Sequence, residues 1–368
     1  PMACIKSTEL LTFLIFKDTS HSVTKIAFLV FKSDKYYNAG TKPFVDITLG
    51  LLRRFENITP FLLFLASQSY DDTRRRFPYL PAYYFNSIDE LNYFLDKQKI
   101  DIVIFDDLIY RLKLLEKVKS KRKVVYIQHL TGISVVNNLS NKAWIKLRLA
   151  SYLPWRVITS KYIRFVDNAD VIIGNSYTAT HYLASLFGIS SSGVVYPPVG
   201  VNLNVQNAWE NTTIIRKGIL VYKGHKPDFH VRDLDRDVKA LREVDEVILW
   251  GEGELEDISD EELSKLYSSV KLVYSSTSFE LFGYVGAEAL LFKTPVLLNV
   301  FQPFLERIPI DTNMVKILGR SMISKEEIEK FLDAKKDAER AREAVIANYS
   351  PEVSASSLVE ILEKELGL

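Results

Sequence analysis

Short apolar runs recur along this chain, separated by stretches with helical spacing. Ile26–Phe31, Phe61–Ala66, Ile100–Phe105, Val124–Ile127, Ala169–Gly174 and Val194–Tyr196 form one series. Gly218–Tyr222, Glu246–Trp250, Leu272–Tyr274 and Val296–Leu298 form a second. A strand inside a parallel sheet is covered on both faces, so it reads as an apolar run and not as an alternation. Between the first two runs, Phe44, Ile47, Leu51 and Leu52 share one face of a helix expected over 43–55. Strand and helix in alternation specify doubly wound α/β sheets. Pro197-Pro198 divides the two series; proline cannot donate to a ladder, so the pair is the expected hinge. A chain of 368 residues suits two cores, with a first domain over 1–198 and a second over 199–349.

Capping residues support several of the helices. Ser87 is placed to cap a helix reaching Asp96, and Asn175-Ser176 one that ends at Gly188. Asp260-Glu261-Glu262 puts acids at the positive end of another. The run Asp71–Arg76 reads as a charged loop with a solvated arginine face. Residues 1–24 give no clear pattern.

Composition narrows the setting. With one cysteine, Cys4, no internal disulfide can form, which suits a reducing compartment. No apolar run reaches the length of a membrane span, and the N-terminus lacks the order of a secretory signal. A cytoplasmic protein is expected. Net charge is +1, yet residues 1–198 hold 26 Lys and Arg against 16 Asp and Glu, and the remainder holds 21 against 30. The first half suits an anionic partner such as the inner membrane face, or the halves attract one another across a cleft. The segment Trp144 to Phe165 mixes Lys146, Arg148, Arg156, Lys161 and Arg164 with aromatic residues. It reads as a membrane-surface helix or as a helix pair packed on the sheet. No nucleic-acid partner is expected.

The densest motif is Ser275 to Leu298, a strand–loop–helix–turn–strand unit with Glu280 in its loop and Glu288 on its helix. Loops 223–226, 250–254 and 275–283 fall at strand carboxyl ends, which gather on one rim of a doubly wound sheet. That rim carries Lys223, Lys226, Gly224, Gly251, Gly253, Gly283 and two carboxylates. Lysines and helix N–H groups neutralise a diphosphate, and carboxylates accept hydrogen bonds from sugar hydroxyls. The kit fits a nucleotide sugar. Standing alone, Glu288 reads as a helical surface glutamate, and His129, just past a strand end, as a half-buried structural histidine. The five histidines lack zinc-site spacing, and Asp106-Asp107 has no further acids near it in sequence. Neither the Walker glycine loop nor the dinucleotide glycine fingerprint is present.

With Glu280-Leu281-Phe282-Gly283, Glu288-Ala289 and Thr294-Pro295-Val296 in place, residues 263–296 resemble the glycosyltransferases of family four, retaining enzymes of GT-B fold. Ala169–Gly188 and Val194–Val199 resemble that family's strand–helix unit and interdomain linker. The resemblance implies a GT-B architecture whose last helix, within 350–368, crosses back to the first domain. It implies that Glu280 contacts the transferred sugar, that Glu288 contacts the donor ribose, and that His129 lines the reacting face. Gly40 would lie near the donor phosphate. Lys223 or Lys226 would stabilise the leaving diphosphate, with Gly224, Gly251, Phe282 and Gly283 completing the donor site. It also implies retention without a metal or other cofactor, and a glycan or lipid-linked hydroxyl acceptor. A nucleotide-sugar epimerase, a phosphorylase and a non-catalytic binding subunit are the alternatives on such a fold.

Overall fold

The computed structural model describes residues 23–31, 41–67, 69–107, 116–128, 160, 162–164, 166–201, 203, 216–222, 234–250, 258–277, 280–319 and 323–367. The N-terminal strands are β1 (Thr24–Phe31), β2 (Ile58–Leu65), β3 (Ala82–Phe85), β4 (Ile102–Asp106), β5 (Arg122–Ile127), β6 (Val171–Gly174) and β7 (Gly193–Val194). They form one parallel sheet in the order β3-β2-β1-β4-β5-β6-β7. Strands β8 (Ile219–Tyr222), β9 (Val247–Trp250), β10 (Leu272–Ser275), β11 (Val296–Leu298) and β12 (Val315–Ile317) form a second, β12-β11-β10-β8-β9. The register is parallel throughout, as in Phe28↔Leu62 and Val273↔Leu220. Two parallel-sheet α/β domains are what the apolar runs predict.

Strand β1 shows why those runs lack alternation. Ile26, Phe28 and Val30 join one apolar cluster and Ala27 and Leu29 the other, so both faces are buried. Strand β3 escaped the sequence reading. Pro78 and Pro81 interrupt its approach, and Tyr83 and Tyr84 are both exposed, so no period shows. Among the described residues it is an edge strand, paired to β2.

The helices used below are α1 (Lys42–Arg54), α2 (Ser69–Arg76), α3 (Ile88–Gln98), α4 (Tyr177–Phe187), α5 (Leu234–Arg242), α6 (Asp260–Ser269), α7 (Tyr284–Leu291), α8 (Lys325–Asp333), α9 (Ala338–Tyr349) and α10 (Pro351–Leu366). Ser87 caps α3 and Ser176 caps α4, whose C-cap Gly188 has φ 68°. Ser259 and Glu262 form a reciprocal capping box on α6. The run read as a charged loop is instead helix α2. Arg75 and Arg76 bond back to Asp72 there, and Arg76 also pairs with Asp260 of the second domain. A short polar helix carries no apolar stripe, so only its tertiary partners reveal it.

Helix α10 lies on α1 of the first domain. Its Ala355, Leu358, Val359 and Leu362 join the cluster of Phe28 and Phe44. A Cβ on Gly50 would stand 2.0 Å from the Pro351 carbonyl oxygen and 2.9 Å from Ala355 Cβ. The segment Tyr196–Val199 is buried beneath this crossing: Ser354 Oγ donates to the Tyr196 carbonyl (2.7 Å) and Val199 N to that of Tyr349 (2.9 Å).

Candidate active site

The contacts between the domains connect the carboxyl edges of the two sheets. Lys42, at the first turn of α1 beyond β1, bonds Glu288 on α7 beyond β10. Arg76, beyond β2, bonds Asp260 at the start of α6, beyond β9. Ser176, beyond β6, donates to the Leu281 carbonyl at 2.9 Å. The edges where open α/β sheets place their ligand sites therefore face one another.

The Ser275–Leu298 unit is built from its packing. Ser275 and Thr277 bond each other at 3.1 Å, and Gln302 Nε2 donates to both at 3.0 and 3.1 Å. Ser276 donates to the Tyr222 carbonyl at 3.2 Å. These small hydroxyls fix the loop. Leu281 then enters the N-terminal apolar cluster that holds Ala179 and Leu183. The buried Phe282 ring meets Tyr196, Tyr284 and Tyr349 at centroid distances of 6.4, 5.2 and 5.2 Å. As placed here, it is a packing group at the domain junction. Gly283 is the N-cap of α7, with φ 95°. A Cβ there would stand 2.3 Å from Gln302 Oε1, so both torsion and space require glycine.

Glu280 is half-buried at the mouth of this loop. Burial pushes its carboxyl up to about 7, against a weaker opposing pull from a Thr277 hydrogen bond. Burial, then Glu280, then Glu288 push the Tyr222 phenol upward, so both carboxylates act on one group at the end of β8.

Glu288 is not a surface residue; it is 4% exposed. One oxygen takes Lys42 Nζ and the other the Tyr267 hydroxyl at 3.2 Å. Burial alone would lower the Lys42 ammonium, but Glu288 and Asp46 hold it above the ordinary lysine range. Its Nζ also lies 4.9 Å from the Tyr284 ring centroid. Around this pair Tyr284 Oη and Gln302 Oε1 are buried without a hydrogen-bond partner.

Of the residues singled out from sequence, Glu280, Phe282, Gly283 and Glu288 come together here. Gly40, His129, Lys223, Gly224, Lys226 and Gly251 lie outside the described residues, as does most of Trp144–Phe165. Within that segment Tyr162 is fully buried, its ring tilted against Phe187 at 4.9 Å between centroids, with its hydroxyl on Asp107 at 3.2 Å. Asp107 also accepts the Gln128 N–H at 2.8 Å, so this acid supports the end of β4. Among the described residues, no group of three or more His, Cys, Asp and Glu side chains could hold a metal. No helix among them is long and apolar enough to cross a membrane.

Lys42 and Tyr267 went unread in the sequence. A lysine at a helix start has no distinguishing spacing, and a tyrosine on an amphipathic helix reads as core. Glu306 went unread as well. It accepts from Tyr177 N (2.9 Å), Thr178 N (2.8 Å), Thr178 Oγ1 (2.5 Å) and Tyr196 Oη (2.6 Å). A carboxylate of the second domain thereby caps helix α4 of the first.

No protein-family model matches the chain, and no curated protein matches it. Solved structures do. Sucrose-phosphate synthase from Thermosynechococcus elongatus superposes with a TM-score of 0.64 at 13% identity, over 94% of this chain and 99% of that one. HepE from Anabaena, in complex with UDP, gives 0.61 at 14% identity over 93% and 100%. A candidate UDP-N-acetylglucosamine 2-epimerase from Listeria monocytogenes gives 0.53 at 14% identity over 94% and 97%. At such identities the likeness is one of fold, and the chain has the GT-B fold.

Proposed function

We propose that this chain is a metal-independent retaining glycosyltransferase. It moves a sugar from a nucleoside-diphosphate sugar to the hydroxyl of a glycan or lipid-linked acceptor. The observation that carries this reading is Glu280. It is a half-buried carboxyl with its pKa raised to about 7, between two facing sheet edges and beside the start of α7. Perturbed titratable groups in such crevices mark functional sites. Near pH 7 the carboxyl exists in both forms, and each can hydrogen-bond a sugar hydroxyl. HepE, solved with UDP and with UDP-glucose, supports a nucleotide sugar as the ligand class for the fold.

In this mechanism Glu280 orients the transferred sugar and Glu288 takes the donor ribose. His129 lines the reacting face. Lys223 or Lys226, Gly40, Gly224, Gly251 and the N–H groups after Gly283 surround the diphosphate. The bond between the anomeric carbon and the diphosphate oxygen breaks as the acceptor oxygen bonds to that carbon from the same face. The acceptor's proton passes to the departing phosphate. Fixed donors stabilise the charge that develops there. Attachment to an anionic membrane surface belongs to the same proposal, carried by the basic first half.

The test is transfer from a panel of nucleotide sugars to added acceptors, followed by mass spectrometry. Loss of transfer in Glu280→Ala is expected; full activity in that variant overturns the site. The likeness to an epimerase favours a second reading, in which the donor sugar is isomerised with no acceptor. An isomerised nucleotide sugar with unchanged acceptor mass selects it.

A further inference from the structure

The site contains an ion pair that a ligand must disturb. Glu288 is 4% exposed, and both of its oxygens are engaged, by Lys42 and by Tyr267. A ribose diol reaching this carboxylate has to move one of them. Tyr267 is wholly buried, stacked on Phe292 at 5.6 Å and edge-on to Trp250 at 6.1 Å, so its phenol is held by its own domain. Lys42 reaches across from the other domain on a flexible stem and is the partner that can leave. A buried ammonium that loses its carboxylate needs another anion, because an unpaired buried charge is costly. A nucleoside diphosphate brings that anion, carried on the 5′ oxygen of the same ribose.

We propose that Lys42 exchanges Glu288 for the diphosphate of the incoming donor, so that ribose and diphosphate are recognised in one coupled step. This rests on the donor-site reading above and adds a diphosphate-binding cation from the first domain. Lys42 occupies the first helical position of α1, so its backbone stays fixed while the ammonium swings. The exchange makes phosphate a condition of ribose binding. A bare nucleoside must break the ion pair and return nothing to the ammonium. Asp46, one turn further along α1, and Asp260 are the other anions within electrostatic reach; if either held the displaced Lys42, the preference for a diphosphate would not depend on Lys42.

The test compares UDP with uridine, ADP with adenosine and GDP with guanosine by titration calorimetry, on wild-type protein and on Lys42→Met and Lys42→Arg. Wild type should prefer one diphosphate strongly over its nucleoside. In Lys42→Met that preference should fall at least roughly tenfold, through opposite shifts: the nucleoside binds tighter and the diphosphate weaker. Lys42→Arg should keep the preference. Should the methionine variant not fold, Lys42→Gln serves in its place. An unchanged preference in the neutral variant, or equal weakening of both ligands, overturns the exchange and leaves the donor site standing. Wild-type protein that binds none of the diphosphates overturns the donor site and the exchange together.

Discussion

Glu280 and Glu288 are eight residues apart in one motif, and their surroundings give them opposite characters. Burial raises Glu280 to about 7, whereas Glu288 is buried against Lys42. Below the unfolded value of 4.5, the Glu280 carboxyl is protonated in folded and unfolded chains alike. Between 4.5 and about 7 only the folded chain keeps the proton, so its contribution to stability is lost as pH rises through 7. Glu280→Gln should therefore be more stable than wild type at pH 8, by about 1–3 kcal/mol, and no more stable at pH 4. Urea melts across pH check this, and a margin independent of pH would contradict it. In transfer assays the same group should give wild type an inflection near pH 7 that the glutamine variant lacks. For Lys42→Met, removing one partner of a buried ion pair should cost about 3–5 kcal/mol of stability, read in the same melts.

At the scale of elements, two glycines determine where helices can sit. Gly50 lets α10 lie on α1, where any Cβ would meet the Pro351 carbonyl and Ala355. Gly50→Val should push these helices apart, and overpacking of this kind costs about 1–3 kcal/mol or more. Thermal melting checks the loss, and an unchanged melting temperature would refute the packing. Gly283 turns the chain into α7 with a positive φ beside Gln302. Gly283→Ala should cost about 1–2 kcal/mol or more in backbone strain and clash. Because α7 carries Glu288, donor affinity should fall with stability, which calorimetric titration of the variant reads directly. Both glycines stand in the sequence without a motif that reports their neighbours. The caps at Ser87 and Ser176 were legible because a cap oxygen and the backbone N–H it accepts from lie within three residues.

At the scale of the whole molecule, polar links join the two domains at their junction. Glu306 alone accepts four hydrogen bonds from the first domain and its exit strand. Arg307 beside it lies 5.6 Å from the rings of Tyr177 and Tyr196. Glu306→Ala should lower stability by about 2–4 kcal/mol, since it strips a charged cap from α4 and removes the carboxylate that accepts from the Tyr196 hydroxyl. It should also separate the unfolding of the domains into two calorimetric transitions. A single transition at the wild-type temperature would refute the link.

The sequence by itself determined the fold class. Apolar runs covered on both faces, spaced by amphipathic helices and divided by Pro197-Pro198, admit little besides two doubly wound sheets. It also singled out Glu280 and Glu288, because both lie inside one local motif. Tertiary structure decided the rest. That α2 is a helix, that Glu288 is buried and not exposed, and that Lys42, Tyr267 and Glu306 matter depends on partners from about twenty to two hundred and fifty residues away. Local propensity and periodicity sense neighbours within a helical turn or a strand. An ion pair between two domains leaves no period in either one, so only folding reveals that the motif's second acid holds a lysine from across the cleft.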